Sequence, residues 1–331
     1  MNILSTPQFK NYNNYQPNFQ GNSRNLQCAI DNALRKSSLT DGDMLELSGK
    51  IKKAVDDVLI PERYIEEGSH NAVYKITKKY VARVPLGKNI NSQDLPEKPL
   101  FGQDLFKSLY NYFGEAIVSL GDFQILKNVG RHIPAGVPEH FAQKVGKGGV
   151  NRYYREKYLP RFAKITQGSY NEFVQDIARL NEIKLGPRRY CLFDSINPNN
   201  VVAHAGKLYL VDEINTMYDK SYANTTAKLL EVFLVRATKD YEAPDAGNKI
   251  KYVRTIFKKL LIAADKANLV HADTKEDYTL WQKALTKCKF NIDAGEILNK
   301  LDNIQYQVQD PNERTALVKN YFNRLCLDNP V

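Results

Sequence analysis

The 331-residue chain carries four cysteines, and they are scattered. Cys28, Cys191, Cys288 and Cys326 show no paired spacing, which excludes a disulfide framework and a thiol-built zinc site and fits a reducing compartment. The five histidines (His70, His132, His140, His204 and His271) have no ligand spacing, and no Gly-x-Ser-x-Gly elbow is present. No apolar run approaches the length of a membrane span, so no transmembrane segment is expected. The opening residues hold no apolar stretch of the cleavable signal-peptide kind. Acidic residues are in the minority, 37 against 47 Lys and Arg, for a formal charge of +10. That balance suits an acidic partner: nucleotide phosphates, anionic lipid or nucleic acid.

What is present is centred on residues 190–215. The run Tyr190 to Phe193 leads to Asp194. A polar turn on Pro198 follows and ends in Asn199 and Asn200. Val201 to Ala203 reads as a strand, Leu208 to Val211 as its partner, and Ala205-Gly206 as the hairpin turn. The second strand ends in Asp212. Carboxylate and carboxamide oxygens at the ends of short strands suit a hard divalent cation, which fills the rest of its shell with water and phosphate oxygens. An Asn/Asp-rich turn joining two strands is the plainer reading of the same residues.

The segment resembles the catalytic loop and metal-binding strand of protein kinases, Asp-x-x-x-x-Asn followed by a hairpin and Asp-Phe-Gly. Counting back from Asn199 gives Asp194, and from Asn200 gives Ser195. The first register keeps a base and is preferred. Phe193 stands where Arg is usual, and Glu213-Ile214 replaces Phe-Gly. The resemblance implies that Asp194 orients the acceptor hydroxyl, and that Asn199 or Asn200 with Asp212 holds Mg²⁺ or Mn²⁺ beside ATP.

Tyr64 to Pro85 reads as three antiparallel strands with two tight turns. Gly68 and Asn71 tolerate positive φ, so the first turn can fold closely over a phosphate. This resembles the kinase glycine-rich loop, with Gly68, Ser69, His70 and Asn71 at the tip and Val73 and Val81 against the base. The Gly-x-x-Asn-Ala-Val form is similar to small effector kinases of enteric pathogens, the NleH and OspG type. Arg83 falls where those kinases carry the phosphate-pairing Lys; Lys75 or Lys79 are the alternative anchors. Apolar spacing at Leu105, Leu109, Phe113, Ile117, Leu120 and Phe123 predicts one or two helices over 103–127. Glu115, central in that helix, would pair with Arg83. Asp122 is assigned to the helix surface.

Residues 1–25, rich in Asn, Gln, Ser and Pro, are expected to be disordered. Such a tail resembles the uncleaved secretion signals of bacterial type III effectors, which implies delivery into the host cytoplasm; without that, the chain is expected to be cytoplasmic. A helical extension over 26–60 follows, with Asp41 as an N-cap, then a small sheet lobe over 61–145 and a helical lobe over 146–331. A strand over 139–145 leads to the hinge. Tyr170 to Leu185 and Thr225 to Lys239 read as helices, and four more cover 249–331. The first of these four carries Lys249, Lys251, Arg254, Lys258 and Lys259, a basic side that could meet anionic lipid.

The expected fold is thus α+β, a two-lobed protein kinase-like fold with an antiparallel-sheet N-lobe and a mainly helical C-lobe. The resemblance implies ATP-dependent phosphoryl transfer to protein Ser or Thr, with a host protein as substrate or activator. The altered Arg83, Phe193 and Glu213 point to a pseudokinase as the alternative. Arg83-Val84-Pro85 suggests a small-molecule kinase of the aminoglycoside or choline kind. Nucleic acid is the last of the expected partners, despite the Tyr and basic residues interleaved over 151–166.

Overall fold

The computed structural model describes residues 19–67, 70–102, 109–110, 112–129, 159–191, 201–211, 215–218, 225–236, 246–270 and 272–331. The protein is α+β, with a six-stranded antiparallel sheet and a mostly helical remainder. It divides into two compact units. One joins the described residues up to Leu100 with Val118–Asn128; the other holds Phe101–Ile117 and the described residues from Val129 to Val331.

The first unit opens with α1 (Phe19–Arg35) and α2 (Asp41–Val58). The N-cap of α2 is Thr40 rather than Asp41: its hydroxyl accepts the Asp43 N–H, and Asp43 accepts from the Thr40 N–H in return. This reciprocal pairing satisfies two donors that a helix start leaves open. Helix α1 begins inside the stretch expected to be disordered. Packing explains it: α1 sinks Leu26 and Ile30 fully, and α2 does the same with Ile51, Ala54, Val55 and Val58. Their polar edges join where Asn22 donates to Asp57 at 2.5 Å.

The strands are β1 (Tyr64–Glu67), β2 (Asn71–Lys75), β3 (Tyr80–Pro85), β4 (Leu100–Phe101), β5 (Val118–Leu120) and β6 (Phe123–Lys127). Their order is β1-β2-β3-β6-β5-β4. Alternation sorts the residues onto two faces. One face carries Ala72, Tyr80, Ala82, Val84, Val118, Leu120, Phe123 and Ile125, all buried. Burying a large apolar side chain there contributes roughly 1.5–3 kcal/mol. Tyr80, on this face, donates a hydrogen bond from its hydroxyl to Asp31 of α1 at 2.5 Å, and Lys79 meets the same oxygen. The other face carries Val73, Val81, Arg83, Gln124 and Leu126.

The expected helix over 103–127 is not formed at 112–127. Residues 118–127 are the β5–β6 hairpin, with Gly121 at φ 57° in its turn. A Cβ on Gly121 would meet Cδ of Pro96 at 3.0 Å. Val118, Leu120, Phe123 and Ile125 fit a two-residue period on each side of that turn, and the turn breaks the helical one. Asp122, expected on a helix surface, sits in the turn and pairs with Lys88 at 2.9 Å.

In the second unit, α3 (Gln167–Glu182) is capped by Thr166 and buries Tyr170, Phe173, Val174, Ile177 and Leu180 along one stripe. Strands β7 (Lys184–Leu185), β8 (Arg188–Cys191) and β11 (Asn215–Tyr218) form a small sheet in the order β11-β8-β7. Strands β9 (Val201–His204) and β10 (Lys207–Leu210) form a hairpin turning at Ala205 (φ 47°) and Gly206 (φ 79°). Helix α4 (Thr225–Leu230) runs into a wider π turn, Glu231–Arg236. Then come α5 (Ala246–Lys266), α6 (Lys275–Lys287), α7 (Ala294–Gln307) and α8 (Pro311–Asp328).

Two aromatic clusters anchor this unit. Phe233 meets Phe162 edge-on at 5.3 Å and lies beside Tyr170 and Phe173. Phe257 of α5 gathers Trp281, Phe290 and Phe322 from the three later segments. No helix among the described residues is long and apolar enough to cross a membrane.

The unit boundaries depart from the expected lobes in two ways. The two opening helices share a unit with the sheet, and Phe101–Ile117 belongs to the helical unit. Tyr112 forms a parallel bridge with Leu210, and the Phe113 N–H donates to the Leu210 carbonyl at 2.7 Å, which ties this stretch to β10.

Candidate nucleotide and metal site

In the sheet unit the site residues fall on one face. Register places Val73, Arg83, Gln124 and Ser119 in a single row across β2, β3, β6 and β5. The next row on that face is Lys75, Val81 and Leu126. Arg83 is only 6% exposed, and its Nε–H donates to Oε1 of Gln124 at 2.7 Å. A guanidinium taken this far out of water needs such acceptors, because an unsatisfied buried donor costs about 1–3 kcal/mol. Val81 is buried and Val73 half-buried.

Glu67 at the end of β1 pairs with Ala72, and β2 starts at Asn71. His70 is exposed, and its carbonyl accepts from the Leu86 N–H at 2.8 Å. Gly68 and Ser69 lie outside the described residues. Of the alternative anchors, Lys79 is committed to Asp31 at 2.5 Å. Lys75 is exposed and shares the Arg83 face.

In the helical unit two ladders set the frame. Strand β8 pairs with β11 so that Cys191 lies opposite Asn215. Strand β9 pairs with β10 so that Val201 lies opposite Leu210. Helix α3 holds the hairpin in place: Ser169 donates its hydroxyl to the Gly206 carbonyl at 2.8 Å, and Glu172 pairs with Lys207 at 3.1 Å. Asp194, Asn199, Asn200 and Asp212 lie outside the described residues. So do Phe193 and Glu213, and the expected strand over 139–145. Among the described residues no group of three or more His, Cys, Asp or Glu side chains is placed to hold a metal.

Glu115 is not on a helix. It sits in an irregular stretch of the helical unit, two residues beyond Phe113, with Oε2 out of contact with water. It lies close enough to Tyr190 of β8 to act on it. Burial pushes the Tyr190 hydroxyl pKa up, and the Glu115 charge pushes it further.

Sequence reasoning missed Gln124 and Tyr190. Gln124 was hidden in an expected helix; the apolar Phe123 and Ile125 on either side of it were the available signal for a strand. Tyr190 was read only as part of an apolar run.

On α5 the basic side divides. Arg254 is buried and donates to the carbonyls of Cys288, Lys289 and Asn329. Lys259 donates to the carbonyls of Ala163 and Ile165. These two are therefore built into the helix packing rather than left as part of a solvated stripe.

No protein-family model, curated protein or solved structure matches the chain.

Proposed function

We propose that the protein transfers the γ-phosphoryl group of ATP to a Ser or Thr hydroxyl of a protein, as a two-lobed kinase-like enzyme. One observation carries the reading. The stretch holding Asp194, Asn199 and Asn200 is tethered at Cys191 and Val201, and the stretch holding Asp212 at Val211 and Asn215. The ladders pair Cys191 with Asn215 and Val201 with Leu210. Asp194 follows Cys191 by three residues and Asp212 precedes Asn215 by three. Three residues of chain reach no more than about 11 Å. The tethers therefore favour the two carboxylates serving one site.

In this reading Asp194 orients the acceptor hydroxyl, whose oxygen attacks the γ-phosphorus while the bond to the β-phosphate oxygen breaks. ADP leaves, and the hydroxyl proton passes to Asp194. The oxygens of Asn199, Asn200 and Asp212 suit Mg²⁺ or Mn²⁺, which would neutralise charge on the phosphates. Arg83 grips the α- and β-phosphates, Val73 and Val81 face the base, and residues 68–71 cover the chain of phosphates. Positioning and charge carry the rate in such transfers. The setting of use is a host cell entered by secretion, with a host protein as substrate or activator.

The Arg83–Gln124 bond favours a second reading. A guanidinium engaged by its own sheet suits a pseudokinase that binds partners and does not turn over. The deciding experiment incubates purified protein with γ-labelled ATP and Mg²⁺, followed by mass spectrometry for added phosphate or AMP. Phosphate transfer that Asp212→Ala abolishes without lowering the melting temperature supports the enzyme. Transfer unchanged by Asp212→Ala rejects the site. Nucleotide-induced stabilisation without any transfer selects the pseudokinase.

A further inference from the structure

Helices α5 and α8, with Gln167 of α3 and Val331, line an open cavity of about 580 Å³ in the helical unit. Five cations line it: Lys251, Arg254, Lys258 and Lys259 from α5, and Lys319 from α8. No Asp or Glu side chain is among the lining residues.

None of the five has a carboxylate partner among the described residues. Lysines elsewhere do: Lys36, Lys79, Lys88, Lys98, Lys207 and Lys228 are each paired with Asp or Glu. Lys258 donates to the Asn323 carboxamide at 3.1 Å and lies over the Phe322 ring. Arg254 meets three backbone carbonyls, the Cys326 thiol and the Phe290 ring. Lys259 meets two carbonyls and the Tyr170 ring; none of these partners is an anion. A sphere of the cavity's volume is ~5 Å in radius, well inside the ~8–10 Å over which salt screens charge. The cations therefore repel one another across the cavity, and an anion seated there would offset positive charge that no carboxylate offsets. The volume lies within the roughly 300–1,000 Å³ range of small-ligand sites.

We propose that this cavity binds a small group carrying several phosphates, either a free polyphosphate or the phosphorylated headgroup of a lipid. One phosphate leaves most of the five charges unmatched, so multiple phosphates fit best. None of the lining residues is among those assigned to phosphoryl transfer, and the proposal does not rest on that assignment. Burial pushes the Lys259 amine pKa down, a shift that a bound anion opposes.

The test uses the full chain in EDTA, so that metal-dependent nucleotide chemistry is silent. Calorimetry with inorganic tripolyphosphate is expected to show binding that weakens as salt rises. Hydrogen exchange should slow along α5 and α8. The double variant Lys251→Gln/Lys319→Gln alters two exposed side chains with no internal partner, so its melting temperature should be unchanged. Its affinity should fall by at least about tenfold. Phosphatidylcholine vesicles carrying a phosphatidylinositol bisphosphate separate the two sources. Sedimentation with them, lost in the double variant, assigns the lipid headgroup; tripolyphosphate binding without sedimentation assigns the free polyphosphate. No binding of either probe, equal affinity in the double variant, or protection confined to other segments overturns the proposal.

Discussion

Arg83 on β3 and Gln124 on β6 are register partners, and the Nε–H of the first donates to Oε1 of the second at 2.7 Å. Their side chains share the sheet face opposite the packed core. Replacing Gln124 with Leu removes an acceptor from a guanidinium that is almost out of water. The expected cost is about 1–3 kcal/mol. Urea unfolding should show it as a lower midpoint with an unchanged slope. If the phosphoryl-transfer reading holds, Arg83→Met should also abolish the nucleotide-induced rise in melting temperature, whereas Gln124→Leu should only reduce it.

The start of α2 responds to acid. Lys36 bonding to Asp43, with the Thr40 backbone and hydroxyl adding to it, holds the Asp43 carboxyl down at about 2, against an ordinary 3.8. A depressed pKa means the folded state holds its proton less tightly than the unfolded chain. The stabilisation is therefore complete above the ordinary value and is lost as pH falls towards about 2. Asp43→Asn should flatten that part of the stability–pH curve. Circular dichroism of thermal melts across the acid range reads it directly; a variant with the same acid dependence as the natural chain would refute the assignment.

Some of this architecture is legible in the sequence and some is not, for local reasons. The three-strand meander over 64–85 shows itself because alternation at Val81 and Arg83 coincides with turn residues at 68–71. The hairpin at 201–210 is legible from Ala205-Gly206 between two apolar runs. The helix stripes at Phe173, Ile177 and Leu180, and at Val253, Phe257 and Leu260, have no competing period. Residues 112–127 were misread because Phe113, Ile117 and Leu120 fit a helical spacing, and only Gly121 at positive φ breaks it. The Arg83–Gln124 bond joins residues 41 apart, and no local pattern announces such a partner. The basic stripe of α5 looks solvated on a helical wheel. Burial of Arg254 against carbonyls from residues 288, 289 and 329 is a property of the packed bundle alone.

A buried ion pair ties α5 to α8. Arg314 donates through Nε to Oδ2 of Asp265 at 3.1 Å and through Nη2 to the Asp265 carbonyl at 3.2 Å. The side chains are 9% and 2% exposed. Arg314→Met strands a buried carboxylate and should cost about 3–5 kcal/mol, whereas Asp265→Leu/Arg314→Met should cost far less. Burial pushes the Asp265 carboxyl up, and Arg314 pulls it partly back. A raised folded-state pKa contributes stability below the ordinary value and loses it as pH rises through the folded one. Without Arg314 the pKa climbs further. The penalty of Arg314→Met should therefore shrink on going from neutral to acidic pH, as Asp265 takes up its proton. Denaturant melts of both variants at two pH values would show a pH-independent penalty if this pairing is misjudged.

The turn of the β9–β10 hairpin offers a test of how the candidate site is held. Ala205 and Gly206 both have positive φ, the geometry of a two-residue turn that favours Asn-Gly. An alanine in that region carries a steric cost of roughly 1–2 kcal/mol. Asn tolerates it, so Ala205→Asn should stabilise the chain by up to about 1 kcal/mol. Gly206→Ala adds a second strained residue and should destabilise by about 1–2 kcal/mol. The turn lies at the opposite end of the ladder from Val201 and Leu210, whose partnership sets the spacing of the loops beyond them. If the phosphoryl-transfer reading holds, transfer per folded molecule should therefore change little in Ala205→Asn, while the melting temperature rises. A register slip would instead carry every side chain of β9 to the wrong face. A variant that gains stability and loses transfer would mean that the turn sets the register at the far end of the hairpin.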